Sequence, residues 1–251
     1  MSASPSSSSE LPPVIAAFDD AQRRAIGMVA DVVARLEAGM HARDIVELAE
    51  TRLGERGFTT WYHAPEVEIG AEIGRRGPFP RIGKGPKLLV GSLVSIDLGP
   101  ATSDAYGDFG VTRIFGTPEE PYIVQQAREC TRAACGFLSR WKTCGEAVVV
   151  TAAWAVNMRL KLANANAVGH RVLPREGVYS TGFPRSAHLA TLLPRNRLHR
   201  LNPVRMDGMF ALRPVVTDGT HSAAFEEMIY IHDDQKRILG RDSLAEVGTL
   251  P

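Results

Sequence analysis

The sequence predicts an α+β fold in one domain, because two helix–break–helix segments recur about a hundred residues apart and segments with strand character follow each pair. The chain has 251 residues, of which 44% are hydrophobic and 23% are charged. A chain of this size and composition can bury a substantial core, either as one domain or as two tightly joined related halves.

Apolar residues at three- and four-residue steps predict the helices. The first pair is predicted over residues 18–40 and 42–57, and the second pair over residues 123–141 and 146–162. The breaks within the two pairs are expected at Gly39 and Gly145. Cys130, Cys135 and Cys144 fall on the second pair without a His at zinc spacing, which predicts reduced cysteines that serve in packing.

The amino-terminal segment 1–13, MSASPSSSSELPP, is rich in Ser and Pro. Such a composition cannot bury enough apolar surface to become ordered. We therefore predict a disordered tail over residues 1–13 and a single catalytic-type domain over residues 14–251.

Charge and hydropathy exclude several classes of partner. The formal net charge of +1 gives no overall attraction to nucleic acid or to a membrane surface. No run of about 18 apolar residues and no signal-peptide core occurs in the sequence. These features predict a soluble cytoplasmic protein without a membrane partner.

Two acidic residues are the strongest functional signal. Asp97 and Asp108 lie eleven positions apart in VSIDLGPATSDAYGDFGVTRIFG, residues 94–116, where an apolar strand precedes Asp97 and Gly and Pro predict a reversal before Asp108. Two carboxylates brought together repel, so one must hold a proton or both must share a cation. The pattern indicates acid–base chemistry or divalent metal binding, and the alternative is that both acids cap turns.

This segment resembles the metal-binding strand pair of the superfamily that contains methionine aminopeptidase, aminopeptidase P, prolidase and creatinase. The residues that carry the resemblance are Asp97 and Gly99 at the strand end, Asp108, and Thr112 after the sequence Gly-Asp-Phe-Gly. The resemblance extends over residues 18–240 and implies the pita-bread fold, in which duplicated helix pairs surround a curved antiparallel sheet that holds the site.

The resemblance also implies ligands in the second half of the chain. His170 in AVGHRVL follows a Gly as the ligand His of the family does, and His188 in AHLA is the alternative. AAFEEMIYI, residues 223–231, resembles the final strand, with Glu226 at the metal and Glu227 beside it. The implied metal ligands are Asp97, Asp108, His170 and Glu226.

The chain departs from the family in GMFALRPVV, residues 208–216, where Arg213 replaces a ligand Glu. Arginine is not deprotonated in proteins and cannot ligate a cation. Two outcomes remain open. Asp108, His170 and Glu226 could hold a single ion of Mn, Fe, Co or Zn, or Arg213 could pair with Asp108 or Glu226 so that no metal binds.

Further candidates surround this set. Arg185 in GFPR stands where a related branch has His, and residues 171–205 contain seven arginines, most of which could simply be solvated. Arg185 and Arg213 are candidate binding residues for a substrate carboxylate or phosphate. His63 in WYHAP resembles a His on the substrate side of the family site. The candidate catalytic residues are His63, His188 and Arg213.

The implied function is a metal-dependent hydrolase related to aminopeptidases and Xaa-Pro peptidases. Its substrate would be a peptide or a small molecule with a carboxylate or an amide, and a creatinase-like reaction in specialised metabolism is one version of this function. The alternative is a catalytically degenerate binding module whose basic stretch is the working surface. The sequence is compatible with a homodimer and does not fix the oligomeric state.

Overall fold

The secondary structure is known from a computed structural model that describes residues 11–75, 85–175 and 183–244. These residues contain five α-helices and ten β-strands. The helices are α1 (Pro13–Val33), α2 (Ala42–Arg52), α3 (Tyr122–Phe137), α4 (Cys144–Asn157) and α5 (Arg185–Thr191). The strands are β1 (Thr60–Ile69), β2 (Leu93–Ala101), β3 (Phe109–Ile114), β4 (Lys161–Leu162), β5 (Gly169–Val172), β6 (Gly208–Leu212), β7 (Val215–Thr217), β8 (Ser222–Ala224), β9 (Glu227–His232) and β10 (Gln235–Ile238).

The first helix pair lies at the predicted positions, but both helices end earlier than predicted, α2 at Arg52 instead of Gly57. Helix α1 begins at Pro13, where the missing N–H of proline costs nothing, and it ends at Val33 instead of Met40. The chain then turns through Gly39, which has a φ of +92° and whose N–H donates to the carbonyl of Leu88. Residues 1–10 of the predicted tail lie outside the described residues.

The second helix pair also differs from the prediction at its ends. Helix α3 ends at Phe137 instead of Trp141, and α4 ends at Asn157 instead of Leu162. Gly145 does not break the pair, because Thr143 caps α4 and leaves Gly145 in the first turn. A glycine is needed there, since a Cβ would lie 2.6 Å from the carbonyl oxygen of Arg200.

The strands form three antiparallel sheets. The first sheet has the order β1-β2-β3, the second β10-β9-β6-β5, and the third β4-β7-β8. In the first sheet, Asp97 lies opposite Glu66 on one side and Gly110 on the other. Helix α1 packs on β2 and β3, and apolar side chains from both helix pairs contribute to the largest core cluster.

The predicted strand over residues 223–231 is two strands, because the chain passes from one sheet to another. Strand β8 ends at Ala224 and β9 begins at Glu227. Between them, Phe225 forms a bridge to Val111, and the N–H of Glu226 donates to the carbonyl of Gly110 over 2.8 Å. Glu226 is therefore fixed against β3 at the junction of the sheets.

The three cysteines are buried and free. Burial raises the pKa of Cys130 to about 12 and that of Cys144 to about 11, which disfavours the reactive thiolate. This confirms the prediction that these residues serve in packing. In the described part of the chain, no helix combines the length and hydropathy that a membrane crossing requires.

Candidate metal and substrate site

A turn that is hydrogen-bonded to α1 positions the two aspartates. Asp97 lies in β2, and Asp108 directly precedes β3. The side-chain amide of Gln22 in α1 donates to the carbonyl of Asp108 over 2.9 Å and accepts from its N–H over 2.7 Å. The preceding Gly107 permits the approach, because a Cβ there would lie 2.7 Å from the carbonyl oxygen of Ala21. A carboxylate oxygen of each aspartate lies within 4.8 Å of the other, as the hairpin predicts.

Two imidazoles flank Asp108. The Nε2 atom of His63 lies 3.1 Å from Oδ1 of Asp108 and 3.6 Å from Oδ1 of Asp97. The Nε2 atom of His170 lies 3.0 Å from Oδ2 of Asp108. Gly99 provides room for the first ring, since a Cβ would lie 2.4 Å from Cδ2 of His63. His170 therefore lies with the carboxylates, as predicted.

Arg213 points its guanidinium at β2, where Ser95 and Asp97 share one face of the strand. Its Nε lies 3.1 Å from Oδ2 of Asp97, and Nη2 donates to Oγ of Ser95 over 3.3 Å. One of the two outcomes that the sequence leaves open is a pair of Arg213 with Asp108 or Glu226, and the structure pairs Arg213 with Asp97 instead. Gly110 leaves space for the arrangement, because a Cβ would lie 2.8 Å from Nε of Arg213 and 3.1 Å from Oε2 of Glu226.

Opposite charges set the ionisation of the residues around Asp108. Burial alone lowers the pKa of His63, but the contact with Asp108 and the charge of Asp97 raise it to about 10. Burial raises the pKa of Asp108, and the contacts with His170 and His63 outweigh it and hold that pKa below its usual range. His63 is thus paired, as an imidazolium, with the carboxylate of Asp108.

The pKa of Glu226 shifts in the opposite direction to that of Asp108. Burial and the charges of Asp108 and Asp97 raise its pKa well above the usual value, and Arg213 offsets only part of this rise. Its Oε2 is buried and has no hydrogen-bond partner among the described residues. Arg213 therefore compensates the charge of this carboxylate only in part, and a bound cation would stabilise its ionised form.

Glu227 lies on the other side of the strand, because successive side chains of an extended chain alternate in direction. Burial raises its pKa, while Arg132 and Cys135 of α3 act in the opposite direction. The expectation that Glu227 lies beside Glu226 at the metal is wrong for this physical reason.

The cavity over these groups has a volume of about 390 Å³. His188 of α5 lines it, and its ring centroid lies 5.9 Å from that of His63. Arg185 is exposed at the start of α5 and is not among the described residues that line the cavity. Asn166, Leu192 and Arg197 also line the cavity, and sequence analysis did not select them for the site.

The donor atoms fit a divalent cation. Two groups have ligand atoms within 4.8 Å of one another: His63, Asp97 and Asp108 form one, and Asp108, His170 and Glu226 form the other. A mixed set of carboxylate and imidazole ligands suits Mn, Fe, Co and Zn. The buried Oε2 of Glu226, which has no hydrogen-bond partner in the described part of the chain, supports the second group.

Two helix pairs around antiparallel sheets, with aspartates, histidines and a glutamate converging in a cavity, define a pita-bread metallopeptidase. The sequence model of Metallopeptidase family M24 matches residues 16–233, and the chain belongs to this family. The predicted superfamily and fold are thereby confirmed. Members of this family use divalent metals.

Solved structures support the fold. The X-Pro aminopeptidase from Thermotoga maritima and the prolidase from Pyrococcus furiosus each give a TM-score of 0.71, at 14% and 15% identity. Both matches cover 92% of this chain, but the chain spans only 62% and 64% of those proteins. The methionine aminopeptidase from Thermotoga maritima gives a TM-score of 0.69 at 17% identity, covering 92% of this chain and 98% of the other. No curated protein matches this sequence.

Proposed function

We propose that the protein is a metal-dependent hydrolase that cleaves an amide bond in a substrate of about dipeptide size. One divalent ion would be held by Asp108, His170 and Glu226, and the guanidinium of Arg213 would provide a fixed positive charge beside it. The observation that carries the proposal is the convergence of these three ligands in a cavity of about 390 Å³. Cavities of roughly 300–1,000 Å³ accommodate small ligands.

The position of Arg213 supports a single ion. Its Nε lies 3.1 Å from a carboxylate oxygen of Asp97, which a second ion would need as a ligand. His63 also approaches Asp97 and Asp108, so two protein cations already neutralise this side of the site. A second ion there would have to displace them against Coulomb repulsion.

A bound ion supplies Lewis-acid chemistry, which polarises the scissile carbonyl and lowers the pKa of a water. Side chains of the protein would orient the substrate. His188 lines the cavity with its ring centroid 5.9 Å from that of His63, and a ring N–H of His188 would bind and orient a substrate carbonyl oxygen. His63 keeps its ring nitrogens on Asp108 and on the carbonyl of Ala64. Arg213 stays fixed between β2 and Glu226 and sets the electrostatic field at the reacting centre.

Hydrolysis of a dipeptide panel tests the proposal. The panel contains Xaa-Pro dipeptides, because two of the structural relatives are an X-Pro aminopeptidase and a prolidase, and dipeptides with amino-terminal Met. Metal-loaded wild-type protein should release free amino acids. His170→Ala should abolish both turnover and metal binding, whereas His188→Ala should keep the metal and lose turnover. Turnover that is unchanged in His170→Ala would contradict the proposal.

A binding module is the second candidate, and the ion pair between Arg213 and Asp97 favours it. That pair neutralises one acid of the cluster without a metal. If the purified protein holds no metal and hydrolyses no member of the panel, this function replaces the first.

A further inference from the structure

A stacked pair of tyrosines lies behind the histidines of the cavity. Tyr62 of β1 and Tyr106 of the turn between β2 and β3 are both buried, and their rings are almost parallel with centroids 3.9 Å apart. The ring of Tyr62 also lies near three imidazoles, those of His63, His170 and His188, at centroid distances of 5.6, 6.0 and 5.2 Å. Tyr62 is therefore close to each histidine that lines the cavity within the described residues.

Two hydrogen bonds join Tyr62 to the backbone of His188. The hydroxyl of Tyr62 donates to Oγ1 of Thr191 over 3.1 Å, and Oγ1 of Thr191 donates to the carbonyl of His188 over 2.7 Å. A carbonyl only accepts and a threonine hydroxyl has one proton, so the direction of both bonds is fixed. Tyr62 and Thr191 are 1% and 3% exposed, so bulk water has little access to a partner that is lost. We call these two bonds the hydroxyl relay.

The position of α5 depends on such contacts because the helix is short. It has seven residues, of which Ala187 and Thr191 are buried, whereas Leu189 is 64% exposed. A helix of this length has little stability of its own, so contacts with the rest of the protein hold it in place. Asn196 donates to the carbonyl of Ala190 and fixes the end of the helix. The hydroxyl relay fixes the turn that carries His188.

The stacked tyrosines connect this helix to the strands of the proposed metal ligands. The hydroxyl oxygen of Tyr106 accepts the N–H of Leu173 over 3.0 Å, directly after β5, which carries His170. Tyr62 precedes His63 in β1. The residue that anchors α5 is thus itself held between the strands that form the site. A group on such a support keeps its orientation relative to the ligands.

We propose that Tyr62 is a positioning residue, which acts through the hydroxyl of Thr191 to hold the imidazole of His188 at a set place over the cavity. The proposal rests on the proposed function for the role of His188 in turnover, whereas the position of the ring does not depend on turnover. A displacement of about 1 Å in a group that orients a substrate lowers the rate by a factor of up to ~100. Loss of the Tyr62 hydroxyl should therefore affect kcat and leave metal binding intact.

The NMR signal of the His188 imidazole, recorded with added zinc and assigned by its absence in His188→Ala, tests the position of the ring. Tyr62→Phe keeps the stacked rings and removes only the hydroxyl, so a shift of the signal reports movement of His188 against those rings. Thr191→Val should shift the same signal, and Thr191→Ser, which keeps a hydroxyl, should restore it. Thr151→Val is the matched control, since Thr151 is buried in α4, donates to the carbonyl of Ala147 over 2.7 Å and is not among the described residues that line the cavity.

An unchanged His188 signal in Tyr62→Phe or in Thr191→Val would overturn the proposal. A shift of equal size in Thr151→Val would overturn it as well, because the effect would then follow from the loss of any buried hydroxyl.

Kinetics separates this proposal from the proposed function. If wild type hydrolyses the dipeptide panel, Tyr62→Phe and Thr191→Val should each lower kcat about tenfold and leave KM and metal content nearly unchanged. The double variant should lose no more than either single variant, since both changes break the same hydroxyl relay, and losses that multiply would contradict the relay. A shifted His188 signal with unchanged kcat, or with no turnover in wild type, would contradict the proposed function and leave the positioning of His188 standing.

Discussion

At the scale of single residues, Arg213 is the residue that, in the proposed function, limits the site to one cation. Its side chain is 9% exposed and contacts Asp97 and Ser95 on β2. The charges of Asp97 and Glu226 overcome the effect of burial and raise its pKa, so the guanidinium is permanently charged. A buried ion pair of this kind gives little net stability by itself, but the removal of one partner leaves an uncompensated buried charge.

Arg213→Glu should raise the metal capacity from one to two divalent ions per chain, because it removes a competing cation and supplies a carboxylate. Arg213→Met is the matched control, which removes the cation without adding a ligand. It should destabilise the metal-free protein by about 3–5 kcal/mol and should recover stability when metal is added. Calorimetric metal titration and thermal unfolding measure these effects. A capacity that is unchanged in Arg213→Glu would show that Arg213 does not occupy a ligand position.

Gly99→Ala tests the position of His63 without changing any ligand. A Cβ at this position would lie 2.4 Å from Cδ2 of His63, so the ring must move away from Asp108. We expect turnover to fall at least about tenfold while His170 and Glu226 still hold the ion. Gly136→Ala in α3 is the control, because no atom lies within 4 Å of its Cβ, and it should be neutral or stabilise the fold by up to about 1 kcal/mol. Unchanged turnover in Gly99→Ala would exclude a role for His63.

At the scale of elements, helix ends depend on local contacts more than on hydrophobic periodicity. The apolar pattern runs through Trp141, but α3 ends at Phe137 and α4 begins after Thr143. Thr143 and Glu146 form a reciprocal capping box, with hydrogen bonds of 2.8 and 3.1 Å. The box was visible in the sequence as Thr-x-x-Glu, and it would have corrected the predicted break at Gly145.

The capping box gives a pH-dependent prediction. The N–H of Thr143 donates to Glu146 and lowers the pKa of Glu146. A lowered pKa in the folded state means that the contribution is present above the unfolded value of about 4.5 and is lost as the pH falls through the folded value. The difference in Tm between wild type and Glu146→Gln should therefore be positive at pH 7 and should shrink below about pH 4.5. Glu50→Gln, at an exposed position of α2, is the control. A difference that stays constant with pH would refute the assigned cap.

At the scale of the whole molecule, hydrophobic periodicity predicted the helix pairs and the hairpin pattern predicted the approach of Asp97 and Asp108, because these features are local in the sequence. The resemblance to the family implied His170 and Glu226. Asp97, Asp108, His170 and Glu226 lie together as expected. Sheet order and the partner of Arg213 depend on which distant segments pair, and local patterns do not encode that pairing. Arg197 was missed for the same reason, since its approach to His170 arises from backbone hydrogen bonds between segments almost thirty residues apart.

In the proposed function, the site holds one divalent ion and Arg213 takes the place of a second one. The metal content of the purified protein tests this stoichiometry, measured by mass spectrometry after incubation with Mn, Fe, Co or Zn and removal of unbound ions. We expect one equivalent per chain in wild type and none in a His170→Ala, Glu226→Gln double variant. Two equivalents in wild type, or none with any of the four metals, would contradict it.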